Sequence, residues 1–276
     1  MNNVIRIVPV ITALAVPVVA QQSGPPPVMQ IIRETLKEGK SAAHEKTESE
    51  YVQAFRKAKD KGYYLAATSM SGMNEAWFFV GQPSFEAVES ELKATSQEPL
   101  KSELELADAH DGALRESTRS VWAIYRPDLS YRADKLDVGK MRYFTAGTYR
   151  VRLGHEADMV AGAKQIMGAY EKGMIEAAFI CYQVVAGAPS GTYMFFSPME
   201  SLKVMDGMRE RQNTLRQAMG ADNMDKLMRG TGDTFLTIEN QLFAVSPRMS
   251  YVSDQTAEAD PAFWRPKPAA KAKPAQ

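Results

Sequence analysis

The stretch HEADMVAGAKQIMGAYEKG, residues 155–173, decides the fold because a stretch with the same frame, HEKTESEYVQAFRKAKDKG, occurs earlier at residues 44–62. Each begins with His-Glu and reaches a closing glycine 18 positions later (173 − 155 = 18 and 62 − 44 = 18). The chain has only three histidines, so two of them at one spacing indicate an internal duplication rather than chance.

Both stretches are predicted to be helices within two matching series of elements. The later stretch carries an apolar stripe at the helical period, formed by Met159, Ala163, Ile166, Met167 and Tyr170. Strand-like runs surround each helix, and each series reads in the order β-α-β-β-α-β, over residues 28–125 and then over 141–245. The sequence therefore predicts one α+β unit made twice.

Glycine and proline mark where the predicted helices begin and end. Gly62 follows the first helix at a position that favours a left-handed residue, and Gly173 closes the matching helix. Pro198 suits the first turn of the second helix of the later series. Gly230-Thr231-Gly232 is predicted to end that helix before the last strand.

The ends of the two series also match. Trp77-Phe78-Phe79 corresponds to Met194-Phe195-Phe196, and Pro127-Asp128-Leu129-Ser130-Tyr131 corresponds to Pro247-Arg248-Met249-Ser250-Tyr251. The interval from the closing glycine to the aromatic pair is 78 − 62 = 16 positions in the first series and 195 − 173 = 22 in the second. The second hairpin is therefore predicted to be longer.

Composition bounds the class of protein. The 276 residues are 45% apolar and 24% charged, which is typical of a globular chain long enough for two units. The formal net charge is zero, so the chain lacks the overall positive charge that favours nucleic acid or an anionic membrane surface. We expect neither as a partner.

The two ends of the chain differ in composition from the middle. Residues 1–20 have the pattern of a signal peptide, which predicts a periplasmic or secreted protein without a membrane span after cleavage, and residues 21–27 read as a proline-rich linker. The only cysteine, Cys181, cannot form a disulfide within the chain and is predicted to be a buried strand residue. Residues 253–276 are predicted to be a disordered Lys/Pro/Ala tail.

The repeated order and the repeated residues resemble the dimeric α/β-barrel superfamily. The resemblance implies two ferredoxin-like units in tandem, residues 28–131 and 141–252 joined by a connector at 132–140, whose antiparallel sheets pack as a pseudo-dimeric barrel. The apolar faces of the two sheets would cover each other, which predicts a monomer, or a homodimer in which a second chain supplies the cover. Members of the superfamily include cofactor-independent monooxygenases, muconolactone isomerase-like enzymes, haem-binding enzymes and exported proteins of unknown activity.

The histidines are the first candidates for chemistry. His44 and His155 are predicted to start helices, where each could cap the helix or be exposed, and His155 could instead act as a general base. Neither His-Glu pair continues into a His-Glu-x-x-His zinc motif, so no metal site is predicted. Any of the three histidines could be an axial haem ligand, but no haem attachment motif marks one, and no cofactor is predicted.

Aromatic side chains on the strands are the second candidates. Those that face the barrel interior would fill it or line a cavity for a small apolar ligand, and we take His44, Tyr149, Tyr182 and Tyr193 as candidate ligand-binding residues. The leading interpretation is an exported protein of undetermined activity that binds such a ligand or a protein partner. The alternative is a cofactor-independent monooxygenase or isomerase with His155 as general base, and the third is a haem-binding protein.

Overall fold

The computed structural model describes residues 24–265. The predicted signal peptide, the start of the linker and the chain beyond residue 265 lie outside the described residues. The first half contains β1 (Val28–Leu36), α1 (Ser41–Ala58), β2 (Tyr64–Ser69), β3 (Glu75–Gln82), α2 (Phe85–Thr95), α3 (Leu100–Asp111) and β4 (Arg115–Tyr125). The second half contains β5 (Tyr143–Val151), α4 (Glu156–Lys172), β6 (Ile180–Ala186), β7 (Thr192–Met199), α5 (Lys203–Asp206), α6 (Met208–Met219), α7 (Ala221–Thr234) and β8 (Phe235–Val245).

The eight strands form one closed antiparallel barrel. The order around the ring is β1-β3-β2-β8-β5-β7-β6-β4. The first half runs β4-β1-β3-β2 and the second runs β8-β5-β7-β6, which is the same order of first, second, third and fourth strands. The halves join where β2 pairs with β8 and where β4 pairs with β6, so the sheet has no open edge. The predicted α+β class with an antiparallel barrel is confirmed.

The repeated Ser-Tyr pairs connect each half to the other. Ser130, which follows β4, accepts a hydrogen bond from the backbone N–H of Cys181 in β6 at 2.9 Å. Ser250, which follows β8, accepts one from the backbone N–H of Ala66 in β2, also at 2.9 Å. The tyrosine after each serine forms a backbone bridge at or just before the start of the same strand. The match between the two series therefore corresponds to two equivalent contacts between the halves.

Alternation along the strands divides the core into layers. Met29 and Ile31 of β1 point into the barrel, whereas Ile32, Glu34 and Leu36 face the helices. The barrel interior is filled largely by apolar and aromatic side chains, among them Trp77, Val121, Phe144, Tyr182, Met194 and Phe243. Outside the barrel, each half has a second layer between the outer face of its sheet and its helices.

Several predicted helix ends are wrong. Pro198 lies inside β7 rather than at the start of a helix, and the strand tolerates it because β7 pairs with β6 only as far as Phe196. Helix α7 continues through Gly230-Thr231-Gly232 to Thr234. Helix α1 ends at Ala58, and Lys59, not Gly62, takes the left-handed conformation with a φ of 52°. Tertiary structure overrides these local signals.

The prediction of a disordered tail from residue 253 is also wrong for its first part. Residues 254–264 contain two short helices, α8 (Asp254–Ala259) and α9 (Pro261–Trp264). Trp264 is only 2% exposed, and its indole N–H donates to the carbonyl of Gly139 at 2.7 Å. Trp264, with Arg142 pairing with Asp260 and lying over the Phe263 ring, docks this segment against the barrel. Within residues 24–265, no helix combines the length and apolar character needed to cross a membrane.

Candidate functional site

A cleft of about 1000 Å³ lies between the sheet and the helices of the second half. Its floor consists of aromatic side chains from three neighbouring strands, Tyr149 of β5, Phe195 of β7 and Phe235 of β8. Tyr149 makes edge-to-face contacts with the other two rings, with centroid distances of 5.3 and 5.5 Å. Helices α4 and α7 form the walls. The apolar wall residues are Met159, Ala163, Ile166, Leu227 and Met228.

Two glycines give the cleft its shape. A Cβ atom at Gly147 of β5 would lie 2.7 Å from the ring of Tyr149, so only glycine allows that ring to lie along the strand. A Cβ atom at Gly162 of α4 would lie 2.9 Å from the Leu227 side chain of α7. Small residues at these points let the ring flatten onto the sheet and let the two helices approach each other.

Polar groups also line the cleft, and two of them bear on its chemistry. His155 precedes α4 at the edge of the cleft, and its Nδ1 atom lies 2.9 Å from Oδ2 of Asp158. Tyr149 contributes a hydroxyl group that has no hydrogen-bond partner within residues 24–265. Burial raises the pKa of Tyr149, so its hydroxyl stays protonated at neutral pH and can donate a hydrogen bond. The cleft thus combines an aromatic floor with a histidine-carboxylate pair and the hydroxyl of Tyr149.

The predicted site residues lie in four different places. His155 and Tyr149 share the cleft. Tyr193 is buried in the core behind it, and Tyr182 points into the barrel, where its hydroxyl donates to the carbonyl of Pro26 at 2.9 Å. Tyr182 also borders a second pocket, of about 810 Å³, at one end of the barrel. His44 lies in the first half.

The first half fills the equivalent space with charged residues. Leu36 pairs with Arg115 at the place where Val151 pairs with Phe235, so Arg115 stands where the second half has a phenylalanine. By the same register Glu34 corresponds to Tyr149. Glu48 follows His44 by four positions, as Met159 follows His155. Three positions of the cleft therefore hold acidic or basic residues in the first half, and we call Glu34, His44, Glu48, Asp111 and Arg115 the buried cluster.

Ion pairs and hydrogen bonds connect the buried cluster. Arg115 Nη1 lies 2.7 Å from Glu34 Oε1, and its Nε lies 3.1 Å from Asp111 Oδ2. His44 Nδ1 lies 2.7 Å from Asp111 Oδ1. The expectation that His44 caps a helix or is exposed is wrong, because it lies in the first turns of α1 with 0% exposure. Within residues 24–265, Glu34, His44, Glu48 and Asp111 bring donor atoms close enough to share a metal ion.

The pKa values of Glu48 and Asp111 in the buried cluster are shifted in opposite directions. Burial, together with the negative charges of Glu34 and Asp111, raises the pKa of Glu48 to about 9. Burial also tends to raise the pKa of Asp111, but the hydrogen bonds from His44 and Thr47 outweigh it and the pKa is lowered. Asp111 is therefore ionised at neutral pH whereas Glu48 keeps its proton.

Sequence reasoning missed four members of the buried cluster. The sequence did indicate that Glu34 is unusual, because it lies between Ile32 and Leu36 on the face of a strand that alternation predicts to be apolar. Asp111 and Arg115 carried no such indication, since only the packing of α3 and β4 against α1 brings them to His44.

No protein-family model and no curated protein matches the chain. Solved structures do match, and they are dimeric α/β-barrel proteins. A proposed monooxygenase from Fusobacterium nucleatum subsp. nucleatum is 11% identical with a TM-score of 0.52, covering 80% of this chain and 93% of its own. An anthrone oxidase-like protein is 10% identical with a TM-score of 0.50, covering 82% and 92%. At these identities the likeness shows the fold alone. A chlorite dismutase from Candidatus Nitrospira defluvii also matches, at 11% identity and a TM-score of 0.47 with 84% and 95% covered, too low to carry an argument.

Proposed function

We propose that the protein binds a small, flat, largely apolar molecule in the cleft of the second half. The observation that carries this proposal is the aromatic floor of Tyr149, Phe195 and Phe235, which the small residues of α4 leave uncovered. Flat rings at edge-to-face angles favour an aromatic ligand that packs on one ring and meets the edges of others. The free Tyr149 hydroxyl supplies one polar contact to orient that ligand.

The test measures binding of 2-naphthol, a flat aromatic molecule with one hydroxyl, by isothermal titration calorimetry. Ala163→Phe adds a ring on the α4 wall and is expected to abolish binding by competing with the ligand for the space beside the aromatic floor. Tyr149→Phe removes one hydrogen bond and is expected to weaken binding about fivefold. The control is Tyr143→Phe, which removes a hydroxyl from the same strand outside the cleft and is expected to bind normally.

The binding proposal fails if wild-type protein shows no saturable binding, or if it and Ala163→Phe bind 2-naphthol equally. The thermal unfolding midpoint of Ala163→Phe establishes that the variant is folded. An equal loss in Tyr149→Phe and Tyr143→Phe would also count against the cleft, because it would mean that the hydroxyl inside it has no special role.

A second candidate function is a cofactor-independent oxygenase or isomerase that uses the same cleft. The pairing of His155 with Asp158 favours it, because a carboxylate on Nδ1 orients an imidazole whose Nε2 can take a proton. One solved structure of this fold is described as anthrone oxidase-like, which makes an anthrone a rational substrate to test. His155 would remove a methylene proton from the anthrone, and addition of O₂ with loss of water would give anthraquinone.

The enzyme proposal is tested by following O₂ consumption and anthraquinone absorbance. His155→Gln is expected to lower the rate at least a hundredfold, in the range that general bases supply, while leaving anthrone binding intact. His110→Gln is the control, because His110 is exposed and pairs with Glu50 away from the cleft. Equal rates in wild-type and His155→Gln would exclude the enzyme proposal without affecting the binding proposal. A Soret band in the purified protein would favour haem instead.

We also propose that the chain is a tandem pair of ferredoxin-like units, residues 28–131 and 141–252, exported to the periplasm or beyond. The equal strand orders of the halves and their equivalent serine contacts support the duplication. The pattern of residues 1–20 supports export. Light scattering is expected to find a monomer, with a homodimer as the alternative, and N-terminal sequencing of the exported protein is expected to begin at Gln21.

A further inference from the structure

Two buried side-chain atoms of the buried cluster that lack a hydrogen-bond partner among the described residues face each other. His44 Nε2 lies 3.5 Å from Glu34 Oε2, and both atoms are inaccessible to solvent and lack a hydrogen-bond partner within residues 24–265. Leaving a buried polar atom without a partner costs about 1–3 kcal/mol. Two such atoms side by side could both contact one bound ion.

The hydrogen bond at Nδ1 of His44 determines which ring nitrogen is available to a metal ion. Oδ1 of Asp111 accepts from Nδ1 of His44 at 2.7 Å and also from the hydroxyl of Thr47 at 2.5 Å. Because a carboxylate can only accept, Nδ1 carries a proton, which leaves Nε2 as the ring nitrogen that could bind a metal ion through its lone pair. Histidines that bind metals have this arrangement, in which a carboxylate holds the second ring nitrogen.

A metal ion would displace the proton of Glu48, because carboxylate ligands bind metal in their ionised form. With the three carboxyl groups of the buried cluster then ionised, the single guanidinium of Arg115 leaves two negative charges in a space closed to solvent. A divalent cation would neutralise both. Donor atoms of Glu34, His44, Glu48 and Asp111 already lie within 4.8 Å of one another, so small side-chain movements would bring them onto one ion.

We propose that the first half binds one divalent transition-metal ion through His44 Nε2, Glu34 and Glu48, with Asp111 positioning the imidazole. A set of one imidazole and carboxylates suits Zn²⁺, Mn²⁺ or Fe²⁺ better than Ca²⁺, which prefers oxygen ligands alone. Since all three ligands are buried, the ion would act on structure by tying α1 to β1. The site is separate from the cleft and does not depend on the function proposed for it.

The experiment uses purified protein freed of metal with EDTA, exposed to Zn²⁺ or Mn²⁺ and passed through gel filtration. One ion per chain is expected to remain with wild-type protein, and none with Glu34→Gln/Glu48→Gln, which keeps the side-chain shapes. The control is His110→Gln/His155→Gln, because both exposed histidines lie beside carboxylates and could hold an ion adventitiously. This control is expected to keep its ion, and Zn²⁺ is expected to raise its unfolding midpoint.

A second measurement keeps the test decisive if the glutamine variant does not fold. His44 is the only histidine left in His110→Gln/His155→Gln, so its ring nitrogen signals can be assigned without ambiguity by ¹⁵N NMR. Zn²⁺ is expected to shift the Nε2 signal strongly. The proposal is overturned if wild-type protein retains neither metal, if the histidine control loses the ion, or if Zn²⁺ leaves the His44 signals unchanged.

Discussion

Replacing Glu48 by glutamine is expected to stabilise the metal-free protein increasingly as the pH rises. Glu48 is buried beside Glu34 and Asp111, and its pKa is raised to about 9 from 4.5. Between these two values the folded protein holds a proton that the unfolded chain releases. The contribution of Glu48 is therefore fully present below pH 4.5 and is lost as the pH rises through 9.

The slope gives the size of the effect. One proton difference changes the free energy of unfolding by about 1.4 kcal/mol per pH unit, so Glu48 should cost the wild-type protein about 3 kcal/mol between pH 6 and pH 8. Glutamine has the same shape and does not titrate. The stability difference between Glu48→Gln and wild type should therefore rise by that amount over the same interval.

Urea unfolding with EDTA present, at pH 6, 7 and 8, measures this difference. Glu89→Gln is the matched control, because Glu89 is an exposed helical glutamate on α2, and its stability difference from wild type should be constant. Parallel pH profiles for wild type and Glu48→Gln would refute the reasoning, since they would mean that Glu48 ionises in the folded protein without cost. Unfolding must be two-state in every sample for the comparison to hold.

Three further results are expected. Ser250→Ala should lower the free energy of unfolding by about 1–3 kcal/mol in urea, because it leaves the buried N–H of Ala66 without its partner; no loss would mean that the contact between the halves is unimportant. Trp264→Ala should cost about 3–5 kcal/mol in the same assay, whereas a disordered tail would predict no change. Cys181 should react with a thiol reagent only after unfolding, because it is buried and burial raises its pKa, and rapid labelling of native protein would contradict this.

The order of elements could be predicted from the sequence because it depends on local periodicity. The alternation in residues 28–36 and the apolar stripe after His155 each report which face of a single strand or helix is buried. The Ser-Tyr repeat could also be recognised, although its role as a contact between the halves needed the barrel. The place of Pro198 was harder to predict from the sequence. It lies in strand β7 beyond the last residue that pairs with β6, and only the pairing of the strands shows this.

The buried cluster could not be predicted because its members come from four elements far apart in the chain. The first His-Glu pair fails the His-Glu-x-x-His motif because Glu48 stands where the motif has its second histidine, and the cluster also uses Glu34 of β1 and Asp111 at the end of α3. The sequence also contained little indication of the cleft. Gly147 and Gly162 make its space, but nothing in the sequence says which large side chains those glycines face.

The two halves show why such a space is either charged or apolar as a whole. A carboxylate at the position of Tyr149 or Met159 would be buried beside Phe235, where the first half has Arg115, and a buried charge without its partner costs about 3–5 kcal/mol. An arginine at the position of Phe235 would be equally costly without the carboxylates. Mixed sets are therefore less stable than either pure set. In the charged set, groups drawn together by ion pairs close the space, whereas in the apolar set flat rings over Gly147 leave room above them. One backbone order repeated twice can thus support two different sites, an ion in the first half and a flat ligand in the second.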